Sequence, residues 1–176
     1  MTDNPELGIR AETPADFAAV REVNRLAFGR DAEAGLVDAL RATDGYTPEL
    51  SRVAMLDGCI VGHILFTRIG IVTAGGVVPT LALAPMAVLP EHQNRGIGSA
   101  LVRDGLDACY RLGHRSVIVL GHPAYYPRFG FVPARPRGIA APFPAPDEAF
   151  MLIELVPGAL DGVQGTVQYP HAFSQV

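Results

Sequence analysis

Lysine is absent from all 176 residues; the 14 basic side chains are arginine without exception. That removes every motif whose chemistry needs a lysine ammonium, the phosphate-binding P-loop among them. Cysteine is nearly as scarce. Cys59 and Cys109 stand apart, with no CxxC spacing and no His-rich neighbourhood. This argues against a disulfide framework or a zinc site and fits a reducing cytosol, so no metal is expected. No apolar run approaches the ~18 residues of a membrane span. The opening "MTDNPELGIR" has no basic stretch followed by an apolar block, so no signal peptide is expected and the chain reads as cytoplasmic. Charge of one sign does not dominate either: a formal net charge of −4 gives no reason to expect nucleic acid or an anionic membrane as a partner.

What is present suffices for a core. Apolar residues make up 49% and charged residues 18%, a compact-protein composition, and the length fits one domain spanning residues 1–176. "LGIRAET" (7–13) alternates as a first strand. Thr13 then reads as an N-cap, with Pro14 at the first helical position and Asp16 in the first turn. Phe17, Val20, Val23, Ala27 and Phe28 keep helical spacing up to Gly29, and "DAEAGLVDALRAT" (31–43) reads as a second helix. Two strand-like runs, "LSRVAMLDG" and "CIVGHILFTRIGIV", meet at Asp57-Gly58, a strong hairpin signal. "TAGGVVPT" (73–80) reads as another turn, leading to "LALAPMAVLP" as a fourth strand. A helix over about 96–112 follows, then the strand "SVIVLG", a short helix "HPAYYPRF" (122–129) and a strand start at "GFVPA". Pro133, Pro136, Pro142, Pro144 and Pro146 make a semi-rigid loop, and "AFMLIELV" (149–156) closes the pattern. The order implies a mixed α/β sheet with helices on both faces, not a doubly wound parallel one. The tail from 157 to 176 either adds a further strand or covers a homodimer interface; the strand is the expectation.

The stretch "LPEHQNRGIGSALV" (89–102) places a polar, glycine-containing turn directly before the third helix. A helix N-terminus carries unpaired N–H groups and the positive end of the helix dipole, together a ready anion site. Gly96 and Gly98 remove side chains that would hold a phosphate off that backbone, Gln93 and Arg95 add donors, and Ser99 adds a hydroxyl. The turn is no dinucleotide fingerprint, because Leu101 stands where the third glycine is needed. Just upstream, Pro85 lies within "LALAPMAVL". Proline cannot donate to a ladder, so the sheet is irregular there and backbone groups of Met86, Ala87 and Val88 are free to pair with something else. Together these features describe an extended ligand, with an amide-bearing arm along a strand and a pyrophosphate on the following helix. Coenzyme A has that shape.

"PMAVLPEHQNRGIGSALV" followed by "SVIVLGHPAYYPRFGFVPA" resembles the GNAT superfamily of N-acetyltransferases, most closely a bacterial branch of small members. Gln93-Asn94-Arg95-Gly96-Ile97-Gly98 matches the family's Q/R-x-x-G-x-G/A motif at every defined position, and the likeness covers roughly residues 7–156. The resemblance implies a GNAT-like, mostly antiparallel sheet splayed between its fourth and fifth strands. It also implies acetyl-CoA as co-substrate, bound by Met86–Val88 and Gln93–Ser99, and a small-molecule or peptide amine as acceptor. Loops at 29–48 and 133–147 should line the acceptor side.

Acetyl transfer needs a neutral amine, a donor for the developing oxyanion and an acid for the departing thiolate. A thiolate with a pKa of ~8.5 can take its proton from a tyrosine at ~10. The resemblance puts that tyrosine at Tyr126, with Tyr125 packing beside it. The oxyanion donor is a backbone N–H, either Ala87 or Val88. The fourth strand has no carboxylate to act as base. His122 either takes the amine's proton or caps the short helix; Glu12 and ordered water stay open as routes, and His63, among apolar neighbours, reads as a hydrogen-bonded core residue. His92 and His114 are expected to be exposed. The alternatives to an N-acetyltransferase are a non-catalytic acyl-CoA-binding module on the same fold, or transfer of a longer acyl group.

Overall fold

In the computed structural model, which describes residues 5–176, the chain opens with strand β1 (Gly8–Ala11). Asp16 accepts from the Thr13 backbone at 2.7 Å, closing a capping box that launches a short 3-10 turn and then helix α1 (Phe17–Phe28). Gly29 ends α1 at φ +69°, the left-handed conformation for which glycine has no side-chain penalty. Helix α2 (Ala32–Arg41) follows, then β2 (Ser51–Leu56), β3 (Cys59–Thr73) and β4 (Gly76–Val88), helix α3 (Ile97–Arg111) and β5 (Ser116–Leu120). The remainder contributes β6 (Val132–Pro133), β7 (Ile139–Ala140), β8 (Phe150–Glu154) and β9 (Gly165–Gln168).

The strands form one mixed sheet in the order β1-β2-β3-β4-β5-β8-β6, with β9 paired to β3 and β7. Neighbours are antiparallel except for the parallel pairs β4–β5 and β7–β9. The fifteen residues of β3 are long enough to carry β2 on their first half and β9 on their last turn-ward residues, Gly70 to Thr73. The tail therefore adds a strand. Val20, Leu36, Val37 and Leu40 of α1 and α2 pack on Val53 and Leu65. Ile97, Leu101, Val102 and Cys109 of α3 join Ile64, Phe66, Leu81 and Val117 in another cluster.

Three sequence expectations change. "TAGGVVPT" is not a turn throughout: only Ala74 and Gly75 turn, and Val77 to Thr80 already belong to β4, with Pro79 opposite Gly70. There β4 has no neighbour on its β5 side, where pairing starts at Leu81, so a proline is tolerated as on an edge strand. "HPAYYPRF" yields only a 3-10 turn, Tyr126–Phe129, because Pro127 cannot extend a longer ladder. The proline-rich loop is pinned by β7, which pairs with β9 through Ile139 and Ala140.

Candidate functional site

Pro85 sits in a bulge. Ile64 pairs with Met86 and Phe66 with Leu83, so one β3 residue faces two β4 residues, Ala84 and Pro85. On its other edge β4 meets β5 only at Leu81↔Val117 and Ala82↔Ile118. Beyond that point the two strands part, and residues 83–88 present an unpaired edge.

Which backbone groups face the gap follows from the ladder's alternation. The Leu89 N–H donates to the Val61 carbonyl at 2.8 Å, which puts Val61↔Leu89 at a hydrogen-bonding position of the ladder, and His63↔Ala87, two residues on, at the next. The pairs Gly62↔Val88 and Ile64↔Met86 are the non-bonded ones, and the N–H and C=O groups of Met86 and Val88 point away from β3. Gln93 Nε2 donates to the outward Val88 carbonyl at 3.0 Å. The sequence expectation for Ala87 is corrected: its backbone is committed to β3.

The gap leads into a cleft of about 1360 Å³, larger than the ~300–1,000 Å³ of a typical small-ligand pocket. Met86 to Val88, Gln93, Asn94 and Gly96 to Ser99 all line it. Gly96, the residue before the first turn of α3, has φ +82°, so the turn needs glycine there for its backbone. Gly98 is small for a different reason: a Cβ there would stand 3.0 Å from the Tyr125 hydroxyl and 3.4 Å from Met86 Sδ. Arg95 is exposed and lies off the cleft wall.

Tyr125 and Tyr126 both reach the cleft, their rings edge to face with centroids 5.1 Å apart. Tyr125 is half-buried, its hydroxyl 3.3 Å from Ser99 Oγ at the start of α3. Tyr126 is buried at 7% exposure, packed on Phe131 and against Gly121, where any side chain would overlap its ring. Burial, and then the neighbouring Tyr125, push its phenol pKa well above the ordinary value. His122 is exposed at the cleft rim; its carbonyl, not its imidazole, accepts from the Tyr125 and Tyr126 N–H groups, so its side chain caps nothing. His92, expected at the surface, is half-buried on the cleft wall, with no partner for its Nδ1 among the described residues. His114 is likewise half-buried.

Two groups weighed as bases lie elsewhere. Glu12 is 5% exposed and accepts from Arg41 Nη2 at 2.8 Å and from the Tyr46 hydroxyl at 2.5 Å. Burial alone would raise its pKa, but bonds from Arg41, Tyr46 and Ser51 outweigh it and hold the carboxyl below its usual range. His63 is fully buried, with Nδ1 3.1 Å from Asn24 Nδ2 and Nε2 2.9 Å from Ser51 Oγ. Neither residue lines the cleft.

The sequence reading named the 29–48 region but no side chain in it. The cleft wall there holds Arg30 and Glu33, an ion pair in which Arg30 Nε donates to both carboxylate oxygens at 3.0 and 3.1 Å. Glu33 is 7% exposed, and the Arg30 hydrogen bond lowers its pKa. Phe143 of the proline-rich loop and Tyr169 and Phe173 of the tail complete that side. In sequence, a glutamate in a helix's first turn reads as a dipole complement; only the fold turns it inward.

The family model described as "Acetyltransferase (GNAT) domain" matches residues 8–134. The chain is 44% identical over 138 residues to the Escherichia coli K12 N-acetyltransferase YjhQ, covering 76% of this chain and 75% of that one. The crystal structure of the E. coli GNAT family N-acetyltransferase YhbS in complex with CoA superposes with a TM-score of 0.91 at 32% identity, covering 99% and 95% of the two chains. A Brucella melitensis GNAT acetyltransferase in complex with acetyl-CoA gives a TM-score of 0.79 at 35% identity, covering 97% and 99%. With the splayed sheet, the bulged fourth strand and the glycine turn before α3, this chain belongs to the GNAT acetyltransferase family.

Proposed function

We propose that the protein is an acetyl-CoA-dependent N-acetyltransferase in which an amine attacks the thioester directly. One observation carries the reading: the outward backbone groups of Met86 and Val88, the bare N-terminus of α3 and Tyr126 all line a single cleft. The relatives crystallised with CoA and acetyl-CoA support it.

The pyrophosphate rests on the free N–H groups at the start of α3, where Gly96 leaves open space and Ser99 adds a hydroxyl. From there the pantetheine arm runs back along β4, its amides pairing with the outward groups near Val88. The thioester, at the end remote from the pyrophosphate, then lies at Met86. That order makes the Met86 N–H the oxyanion donor and replaces the sequence choice of Ala87 or Val88. The amine nitrogen bonds to the carbonyl carbon, the tetrahedral adduct collapses, and the C–S bond breaks. Tyr126 gives its proton to the departing thiolate, being a phenol that is protonated at neutral pH and lines the cleft. The proton released by the amine leaves through water at the rim, where His122 can accept it.

Calorimetric titration with acetyl-CoA, CoA and a longer acyl-CoA tests the site and ranks acyl length. Micromolar binding is expected for acetyl-CoA and severe weakening in Gly96→Glu, which adds bulk and negative charge at the turn. Normal binding by Gly96→Glu would overturn the assignment.

A further inference from the structure

The half of the cleft facing away from α3 is assembled from three distant segments, and its chemistry is uneven. Among the described residues Glu33 is the only acidic side chain on the cleft wall. Its Oε2 accepts a single bond, from Arg30 Nε at 3.0 Å, so lone pairs remain for a further donor. Around it the wall is aromatic. The Phe143 ring lies 5.8 Å from Tyr169, and Tyr169 lies 5.1 Å from Phe173, an unbroken run of rings. Phe28 also lines the cleft. Phe28 and Phe143 leave 41% and 40% of their surface uncovered, a large apolar area for side chains inside a cavity.

Building on the acetyltransferase reading, we propose that the acceptor is a primary amine carried on an aromatic body, its ammonium held by Glu33 and its ring seated on Phe28, Phe143, Tyr169 and Phe173. A carboxylate beside an aromatic wall complements a cation with an apolar body. Glu33 receives the amine in its charged form, because Arg30 stabilises the ionised carboxylate and makes it a good anchor and a weak base; the proton then leaves through the water at the rim and the neutral nitrogen attacks. Rings favour offset and edge-to-face contact with other rings, so an aromatic body gains from this wall what a saturated one of equal size does not.

The test compares 2-phenylethylamine, 2-cyclohexylethylamine and n-butylamine as acceptors, by thiol release with saturating acetyl-CoA. The aromatic amine should lead n-butylamine in kcat/KM by about tenfold or more and should exceed the cyclohexyl analogue. Glu33→Gln should raise the KM for 2-phenylethylamine by about tenfold and leave acetyl-CoA binding, read by calorimetry, unchanged. Phe143→Ala, at a half-exposed position outside the main core, should shrink the aromatic preference. Equal turnover of the three amines, or an unaltered amine KM in Glu33→Gln, would overturn the acceptor assignment alone. Failure of the unaltered protein to bind acetyl-CoA would instead remove the reading on which it rests.

Discussion

Tyr125 and Tyr126 are adjacent in sequence, line the same cleft and do different physical jobs. Tyr126 is wedged between Gly121 and Phe131, so its ring position is fixed by packing, and among the described residues its hydroxyl has no partner that would hold it there. Tyr126→Phe should therefore fold normally, with a thermal midpoint within a few degrees of the parent, and bind acetyl-CoA unchanged. Its kcat should fall by about a hundredfold, the scale of losing a positioned general acid. Tyr125→Phe should show the reverse split. Its hydroxyl meets Ser99 at the start of α3, so the loss should appear mainly in KM for acetyl-CoA. Steady-state kinetics on the two variants checks both; a kcat effect confined to Tyr125→Phe would exchange their roles. The glycine turn and Tyr126 were legible in the sequence as parts of one candidate site, through the motif at 93–98 and the "YYPRFGF" that follows it. The orientation of backbone groups was not. Ala87 and Met86 look interchangeable in "APMAVL", and only the register of β3 against β4 turns one inward and the other out.

α3 is held at both ends of its contact with the sheet by the absence of side chains. At its N-terminus Gly98 abuts the Tyr125 hydroxyl and Met86 Sδ, both the mobile ends of flexible side chains. Gly98→Ala can be absorbed by moving them, so stability should hold while acetyl-CoA binding weakens about tenfold, the equivalent of about 1.4 kcal/mol. Two turns later Gly105 lies on the ring of the fully buried Phe66, and an added methyl would overlap that ring. Gly105→Ala gains about 1 kcal/mol of helix propensity but forces the core to shift, at a cost of about 1–3 kcal/mol. The rigidity of a ring enclosed on all sides decides the sign, and a lowered urea midpoint is expected. Helices and long strands were readable because one face of each is buried and its period survives in the sequence. The two-residue strands β6 and β7 carry no period: β6 showed in the sequence only as a strand start at "GFVPA", and the prolines around β7 read as loop. What makes them strands is the partner each finds, β8 and β9, far along the chain.

At the scale of the whole molecule, a buried polar chain ties α1, α2 and the β1–β3 half of the sheet together. Asn24 on α1 donates to His63 Nδ1, which fixes the neutral tautomer with its proton on Nε2; that proton goes to Ser51, whose hydroxyl lies beside Glu12, where Arg41 and Tyr46 converge. Nothing along it accepts a second proton from His63, and burial lowers the imidazole pKa from 6.5 to about 4. The unfolded chain therefore binds a proton between these values that the folded one refuses. Stability from this residue is complete above pH 6.5, falls as pH drops towards about 4, and is lost below. The full difference is on the order of 3 kcal/mol, and roughly 2 kcal/mol of it should be gone by about pH 5. The carboxyls of Glu12, Asp16 and Glu33 are all shifted downward, so their own losses begin at lower pH and leave this window to the histidines: His63, fully buried, and the half-buried His114, lowered by burial and then by Arg68. Urea unfolding at about pH 7.5 and pH 5 should show the decline in the parent protein. In His63→Gln, which keeps a neutral polar side chain in the chain of hydrogen bonds and has nothing to titrate at that position, most of the gap between the two midpoints should close, leaving the smaller share of His114, whatever the overall cost of the substitution. An equal decline in both proteins would place the acid sensitivity in another group and break the link between the buried chain and pH.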